Sequence, residues 1–96
     1  MDGVGKFVSL TGEIHFGNWL RNKRNGKGIR VSKDFQKIMV AEWEDDVQNG
    51  KGIEITKHYI LIGTWIKGIL EGEAAIFDLD KNEIIKEKYQ EGKKIA

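Results

Sequence analysis

The chain has 96 residues, of which 32% are charged and 40% hydrophobic, with a formal net charge of +1. That is enough chain for one modest core and too apolar a composition for a disordered segment. The charge balance gives no global pull toward nucleic acid or membrane. The absence of cysteine excludes disulfides and thiol chemistry without constraining the redox compartment.

Proline is also absent, and no stretch carries apolar residues at helical spacing. Apolar residues alternate instead, in short β-branched runs punctuated by twelve glycines, which is strand patterning. The chain opens on Gly3 and Gly5, a G-x-G pair followed by strand-like residues 6–10. Ile14 and Phe16 then lead into Trp19, and a polar turn is expected over residues 21–25. Gly26-Lys27-Gly28 opens the next strand, with Ile29 and Val31. The order repeats: Ile38, Val40 and Trp43, a polar turn over 45–49, then Gly50-Lys51-Gly52 with Ile53 and Ile55. It repeats again from Ile60 and Ile62 through Trp65 to Gly72-Glu73-Ala74 and Ile76. A last run carries Ile84 and Tyr89.

Aligned on the rings, the unit is regular. Trp19, Trp43, Trp65 and Tyr89 are spaced 24, 22 and 24 apart, and Gly17, Ala41, Gly63 and Glu87 stand two residues before them. Gly26, Gly50 and Gly72 follow the tryptophans by seven residues, and Gly28, Gly52 and Ala74 by nine. A constant segment joined by variable ones describes a rigid hairpin with adjustable loops. Glycine within a strand is costly unless something uses the missing side chain. A ring laid across the bare backbone of a neighbouring strand would do so. The expected fold is all-β: an open antiparallel meander of consecutive β-hairpin repeats of about 23 residues, with about eight strands, elongated and twisted. The expected organisation is one array, with a half-repeat at 1–12, repeats at 13–36, 37–58 and 59–82, and a half-repeat at 83–96.

These residues resemble the MORN repeat, whose pattern is roughly an aromatic, a spaced Gly, a spaced Trp or Phe, a turn, and G-x-G. His15-Phe16-Gly17-Asn18-Trp19 with Asn25-Gly26-Lys27-Gly28 carries it best. Met39-Val40-Ala41-Glu42-Trp43 with Gly50-Lys51-Gly52 substitutes alanine for the first glycine. Leu61-Ile62-Gly63-Thr64-Trp65 with Gly72-Glu73-Ala74 substitutes it for the last, and the stretch ending at Tyr89 is a partial copy. The leading tyrosine of the family is replaced by His15, Met39, Leu61 and Ile85. The last third is also similar to a looser bacterial variant found in antitoxin-like proteins. The resemblance implies a β-hairpin array of a kind used in scaffolds and beside enzymatic domains.

Candidate chemistry is thin. His15 and His58 stand about two repeats apart without ligand spacing, so packing explains them better than a metal. Asp78-Leu79-Asp80 begins like a calcium loop, but Glu83 and Tyr89 occupy its sixth and twelfth positions, so a turn is expected. Glu42, Glu44, Asp45 and Asp46 have no nucleophile or pocket beside them, and neither Ser9 nor Ser32 lies in a G-x-S-x-G elbow. No cofactor, metal or catalytic activity is expected. The rings read as core, covering strand glycines, ahead of a ligand-binding row.

Charge segregation is the most suggestive feature. Arg21, Lys23, Arg24, Lys27, Arg30 and Lys33 fall on the first full hairpin, and Glu42, Glu44, Asp45, Asp46 and Glu54 on the second. The expected function is a non-enzymatic protein–protein interaction or scaffold module, self-associating head to tail or edge to edge through its terminal half-repeats. One alternative is an anionic lipid or phosphate module acting through Arg21, Lys23, Arg24, Lys27 and Arg30. Another is an antitoxin-like inhibitor or partner protein. The basic hairpin lacks the aromatic interleaving of a single-strand nucleic-acid platform, which disfavours that partner. The N-terminus lacks a signal-peptide pattern, and the apolar stretch at 59–63 is far too short to span a bilayer, so a cytoplasmic protein is expected.

Overall fold

The computed structural model describes residues 2–96. Among them nine strands form one sheet whose spatial order is their chain order. They are β1 (Gly3–Val8), β2 (Ile14–Leu20), β3 (Lys23–Val31), β4 (Ile38–Glu44), β5 (Val47–Ile55), β6 (Tyr59–Ile66), β7 (Ile69–Asp78), β8 (Glu83–Gln90) and the two-residue β9 (Lys93–Lys94). Every neighbouring pair is antiparallel, which makes the sheet an uninterrupted meander, elongated and twisted, measuring 40 × 26 × 19 Å. The expected meander is observed, with one short strand more than expected.

Hairpin turns lie earlier than the sequence suggested. Arg21 and Asn22 both have positive φ (52° and 65°), as do Asp45 and Asp46 (48° and 68°) and the pairs Lys67–Gly68 and Glu91–Gly92. Two left-handed residues in a two-residue loop match the right-handed twist of the strands they join. The chain therefore reverses in two residues, and the N-G-K-G stretches lie inside β3 and β5 rather than beginning them. There they sit at bulges. In the first hairpin Gly17 pairs with Gly28 but Trp19 with Arg24, so three residues of β3 oppose Asn18 alone. The same irregularity recurs between Ala41 and Trp43 and between Ile62 and Thr64. Gly26, Gly50 and Gly72 take positive φ of 100°, 124° and 81° in these bulges, which explains the glycine seven residues after each tryptophan.

The second glycine has another purpose. A Cβ on Gly28 would sit 3.4 Å from Trp43 Cδ1, and one on Gly52 would sit 3.1 Å from Trp65 Cζ3. Trp19 reaches β1, donating its indole N–H to the Gly5 carbonyl at 2.9 Å. Each tryptophan thus lies on the bare strand of the preceding unit, and the three fasten repeat to repeat. The asparagine helps too: Asn49 Oδ1 accepts the N–H of Lys67 in the next turn at 2.9 Å, as Asp2 accepts that of Arg21 and Glu71 that of Glu91. In the second N-G-K-G, asparagine and both glycines thus each have a structural use. The links between paired strand positions are six residues long after Val31 and Phe77 and four after Ile55, which produces the uneven ring spacing.

One sheet face carries the rings. Met39, Ala41, Trp43, Leu61 and Trp65 form its buried cluster, with Tyr59, Leu70 and Ile76 packed against it. Side chains alternate across a strand, so the Ile and Val residues between these positions face the other way. Their register is continuous. One row runs Val8, Ile14, Val31, Ile38, Ile55, Ile60, Phe77, Ile84, with each residue paired to the next. A second runs Lys6, Phe16, Ile29, Val40, Ile53, Ile62, Ala75, Lys86. Alternation in the sequence reads as half-burial. Among the described residues no element covers these rows, and Phe16 is 50% and Ile62 44% exposed.

Candidate functional site

The five basic residues singled out in the sequence do not form one surface. Arg21 and Lys23 are exposed at the first turn and the start of β3, and Lys27 lies on the aliphatic face opposite Glu42. Arg24 and Arg30 lie on the ring face, their guanidinium carbons 4.3 Å and 5.9 Å from the centroid of Trp43, within cation–π reach. Arg24 is the most committed of them. Its Nε lies 3.3 Å from Asp46 Oδ1, its Nη2 donates to the Asp46 carbonyl, and its Nη1 donates to His15 Nδ1 at 2.7 Å. The charge segregation between hairpins is therefore complementary. Arg24 meets Asp46, and Lys27 faces Glu42, across the β3–β4 junction.

Asp46 and His15 respond to this arrangement. Burial pushes the Asp46 carboxyl up, but hydrogen bonds from the N–H and guanidinium of Arg24 outweigh it and hold the pKa below 3.8. Burial first, and the Arg24 charge second, lower the His15 imidazole below 6.5. Because an arginine can only donate, Nδ1 accepts and the ring is neutral with its proton on Nε2. The linkage has a definite sign. Between the folded and unfolded His15 values the unfolded chain binds the extra proton, so stability is intact above pH 6.5 and falls as pH drops below it. Asp46 adds a separate loss at still lower pH, below 3.8. Urea melts from pH 8 to pH 5 should show the first decline, and His15→Gln should flatten it.

Around these groups lies a hollow of about 370 Å³, lined by Phe7, His15, Trp19, Asn22, Arg24 and Asp46. Phe7 of β1 packs edge-on against Trp19 at 6.1 Å and closes one side. A second hollow of about 500 Å³ lies where the inter-unit loops meet, with Glu13, Asp34, Arg30 and Lys37 among its lining and no single sign of charge. On its wall the Tyr59 hydroxyl donates to Glu54 Oε2, and that bond, with burial, pushes the phenol up to about 12. His58 pairs with Asp80 at 2.8 Å on the surface, and Asp78 Oδ1 accepts the N–H groups of Asp80 and Lys81 in a turn. Among the described residues no cluster of three or more His, Cys, Asp or Glu side chains could hold a metal ion, and no helix is long and apolar enough to cross a membrane.

The rings Trp19, Trp43 and Trp65 are buried to within 8% exposure, and Tyr89 is half-buried, its hydroxyl donating to Glu87. Sequence reasoning named Arg24 only as one of the basic set and missed Gln48, Leu70 and Lys94, which with it stand five positions after each ring. Arg24 stacks on Trp43; Gln48 crowds Gly52 alongside Trp65. The backbone carbonyls of Arg24, Gln48 and Leu70 each accept an N–H from the next turn, at Asp46, Gly68 and Gly92. The constant spacing could have exposed this position, but its side-chain chemistry changes in every unit. Gln48 Nε2 is buried without an acceptor, whereas Leu70 carries no donor there.

The family model of the MORN repeat matches residues 15–36 and 40–56, two of the three units recognised in the sequence. No curated protein is similar enough to the chain to count as a match. The third unit, outside the match, keeps the bulge and lays Trp65 on Gly52, but has Ala74 where the pattern has glycine. The fold and the repeat are of the kind typical of non-catalytic protein–protein interaction modules, and the chain carries a MORN-repeat region spanning residues 15–56.

Proposed function

We propose that the chain is a scaffold module that binds further copies of itself edge to edge. The observation that supports this is the pair of unpaired sheet edges. Among the described residues β1 is paired only to β2, and β8 is paired on its far side only at Tyr89 and Gln90 with β9, plus Lys88 with residues 95 and 96. Open edges of this kind are templates for another strand. The two are also complementary as halves of a unit. In the first hairpin Gly17, two residues before its ring, pairs with Gly28, nine after. Carried over to Tyr89, that register sets Glu87 against Gly5 of a second copy, Lys86 against Lys6, Ile85 against Phe7 and Ile84 against Val8. Three of the four pairings suit a ladder, and the Lys86–Lys6 pair opposes it.

The association is head to tail and does not close, so mass should climb with concentration rather than stop at two. Lys88 N–H and C=O both point to the outer edge, bonding residues 96 and 95, so by alternation those of Lys86 do as well. Lys86→Pro removes an outward N–H without touching the β7–β8 ladder. Light scattering should show growth for the parent chain, loss of growth for Lys86→Pro, and growth at least as strong for Lys86→Ala, which keeps the N–H and removes the like charge. A chain that never exceeds two copies would sink the reading. The membrane alternative asks the basic residues to act together, and the division of Arg24 and Arg30 from Lys27 across two faces does not favour it.

A further inference from the structure

The aliphatic face is the largest feature that neither the repeat nor the edges use. Its two rows, one beginning at Val8 and the other at Lys6, cross all eight long strands in register. At roughly 4.8 Å per strand they extend about 34 Å, and two rows with their side chains are about 13 Å wide. Charge enters them only at the two extremities, Lys6 and Lys86, so the centre is wholly apolar. The ring face is already filled by its own tryptophans. A β-sheet with one covered and one bare apolar face lacks its second layer.

We propose that this layer is a second copy of the chain, stacked face to face about a two-fold axis running along the strands between β4 and β5. The size fits: covering the band twice removes roughly 1,000 Å² or somewhat more, the lower bound for a specific interface. Its length also fits, because the band is matched end to end by its own twin. This axis reverses the strand order, so β1 lies over the partner copy's β8 and β4 over its β5. Residues of similar or complementary size then meet: Ile38 with Ile55, Ile29 with Ile62, Val40 with Ile53, and the large Phe16 with the small Ala75. The rim beside the second row supports the same axis, because Glu42 of β4 falls opposite Lys51 of β5, twice by symmetry. Lys6 and Lys86 meet at the solvent-exposed ends, where like charge costs least. The sheets sit about 10 Å apart at the usual small angle, a β-sandwich made of two chains.

This inference goes beyond edge pairing and can fail separately from it, because a two-fold stack closes at two copies. Sedimentation equilibrium of the full chain between about 5 and 200 µM distinguishes them. In the Lys86→Pro chain, whose β8 edge is blocked so that only stacking remains, we expect a dimer, weakened at least about 100-fold by adding Val40→Lys and Ile62→Lys, since each buries a charge in the band centre. These positions are exposed within one copy, so circular dichroism and the monomer's urea midpoint should stay close to the parent's. Lys86→Pro should leave the dimer in place. A parent chain that is monomeric at 200 µM overturns the inference. If that monomer then floats with phosphatidylcholine vesicles, the band is a lipid-facing surface instead. A dimer unaffected by the lysine pair overturns it equally.

Discussion

Alanine in place of Gly17 is expected to abolish or nearly abolish folding, whereas alanine in place of Gly63, the equivalent residue two hairpins later, is expected to be mild. A Cβ at Gly17 would lie 2.5 Å from both Gly28 Cα and the Lys27 carbonyl oxygen, and its φ of 153° is itself unfavourable for a side chain. Those atoms are backbone held in a bulge, so neither can yield without breaking the ladder between β2 and β3. At Gly63 the only close neighbour is Leu70 Cδ1 at 2.8 Å, the far end of a side chain that can change rotamer. Nature has already made the analogous change at Ala41, which is buried at 4% exposure in the middle hairpin. We expect a loss of roughly 3 kcal/mol or more for Gly17→Ala and under about 1.5 kcal/mol for Gly63→Ala. Chemical denaturation of the two variants beside the parent chain measures both. Equal effects would mean that the bulge is softer than its contacts suggest.

Trp43→Ala is the second large effect. The ring covers Gly28, is stacked by Arg24 and approached by Arg30, and belongs to the only buried cluster found among the described residues. Removing it leaves a cavity between two units, so a loss of roughly 3–5 kcal/mol is expected, a large part of a small domain's stability. Trp43→Phe should recover more than half of that, because much of the area over Gly28 is restored. Arg24→Ala tests the stacking separately, and a double-mutant cycle with Trp43→Phe should return a coupling of about 0.5–1 kcal/mol. Arg24 also holds Asp46 and His15, so its single-variant loss should exceed that coupling. If Trp43→Ala unfolds only its neighbouring hairpins, hydrogen exchange will show β1 and β8 opening at different denaturant concentrations, as expected of a nearest-neighbour array.

Much of the fold was legible because each unit repeats the same local requirement. The ring, the small residue two before it, and the glycines seven and nine after it can be aligned by eye. The structural reasons were less legible. The turn looked as if it ran on to Asn25 with the strand opening at Gly26, since asparagine followed by glycine usually signals a reversal. The reversal in fact uses Arg21 and Asn22, and in the next hairpin Asp45 and Asp46, which enter the left-handed region without glycine. The basic stretch looked like a binding surface because charge was counted along the chain. Arg24 and Asp46 are 22 residues apart in sequence and bonded across strands, and only the sheet register brings them together.

By itself the sequence determined that the chain is a meander of strands and which residues must be small, since those depend on contacts within one hairpin or between adjacent ones. Only the tertiary structure decided that each tryptophan lies on the preceding unit, that Arg24 of the basic hairpin pairs with Asp46 of the acidic one, and that the alternating aliphatics line up on an uncovered face. Alternation shows that a strand has two unlike sides. Which sides of eight strands coincide depends on the lengths of the turns and the number of residues in each bulge, and a slip of one residue would exchange the faces.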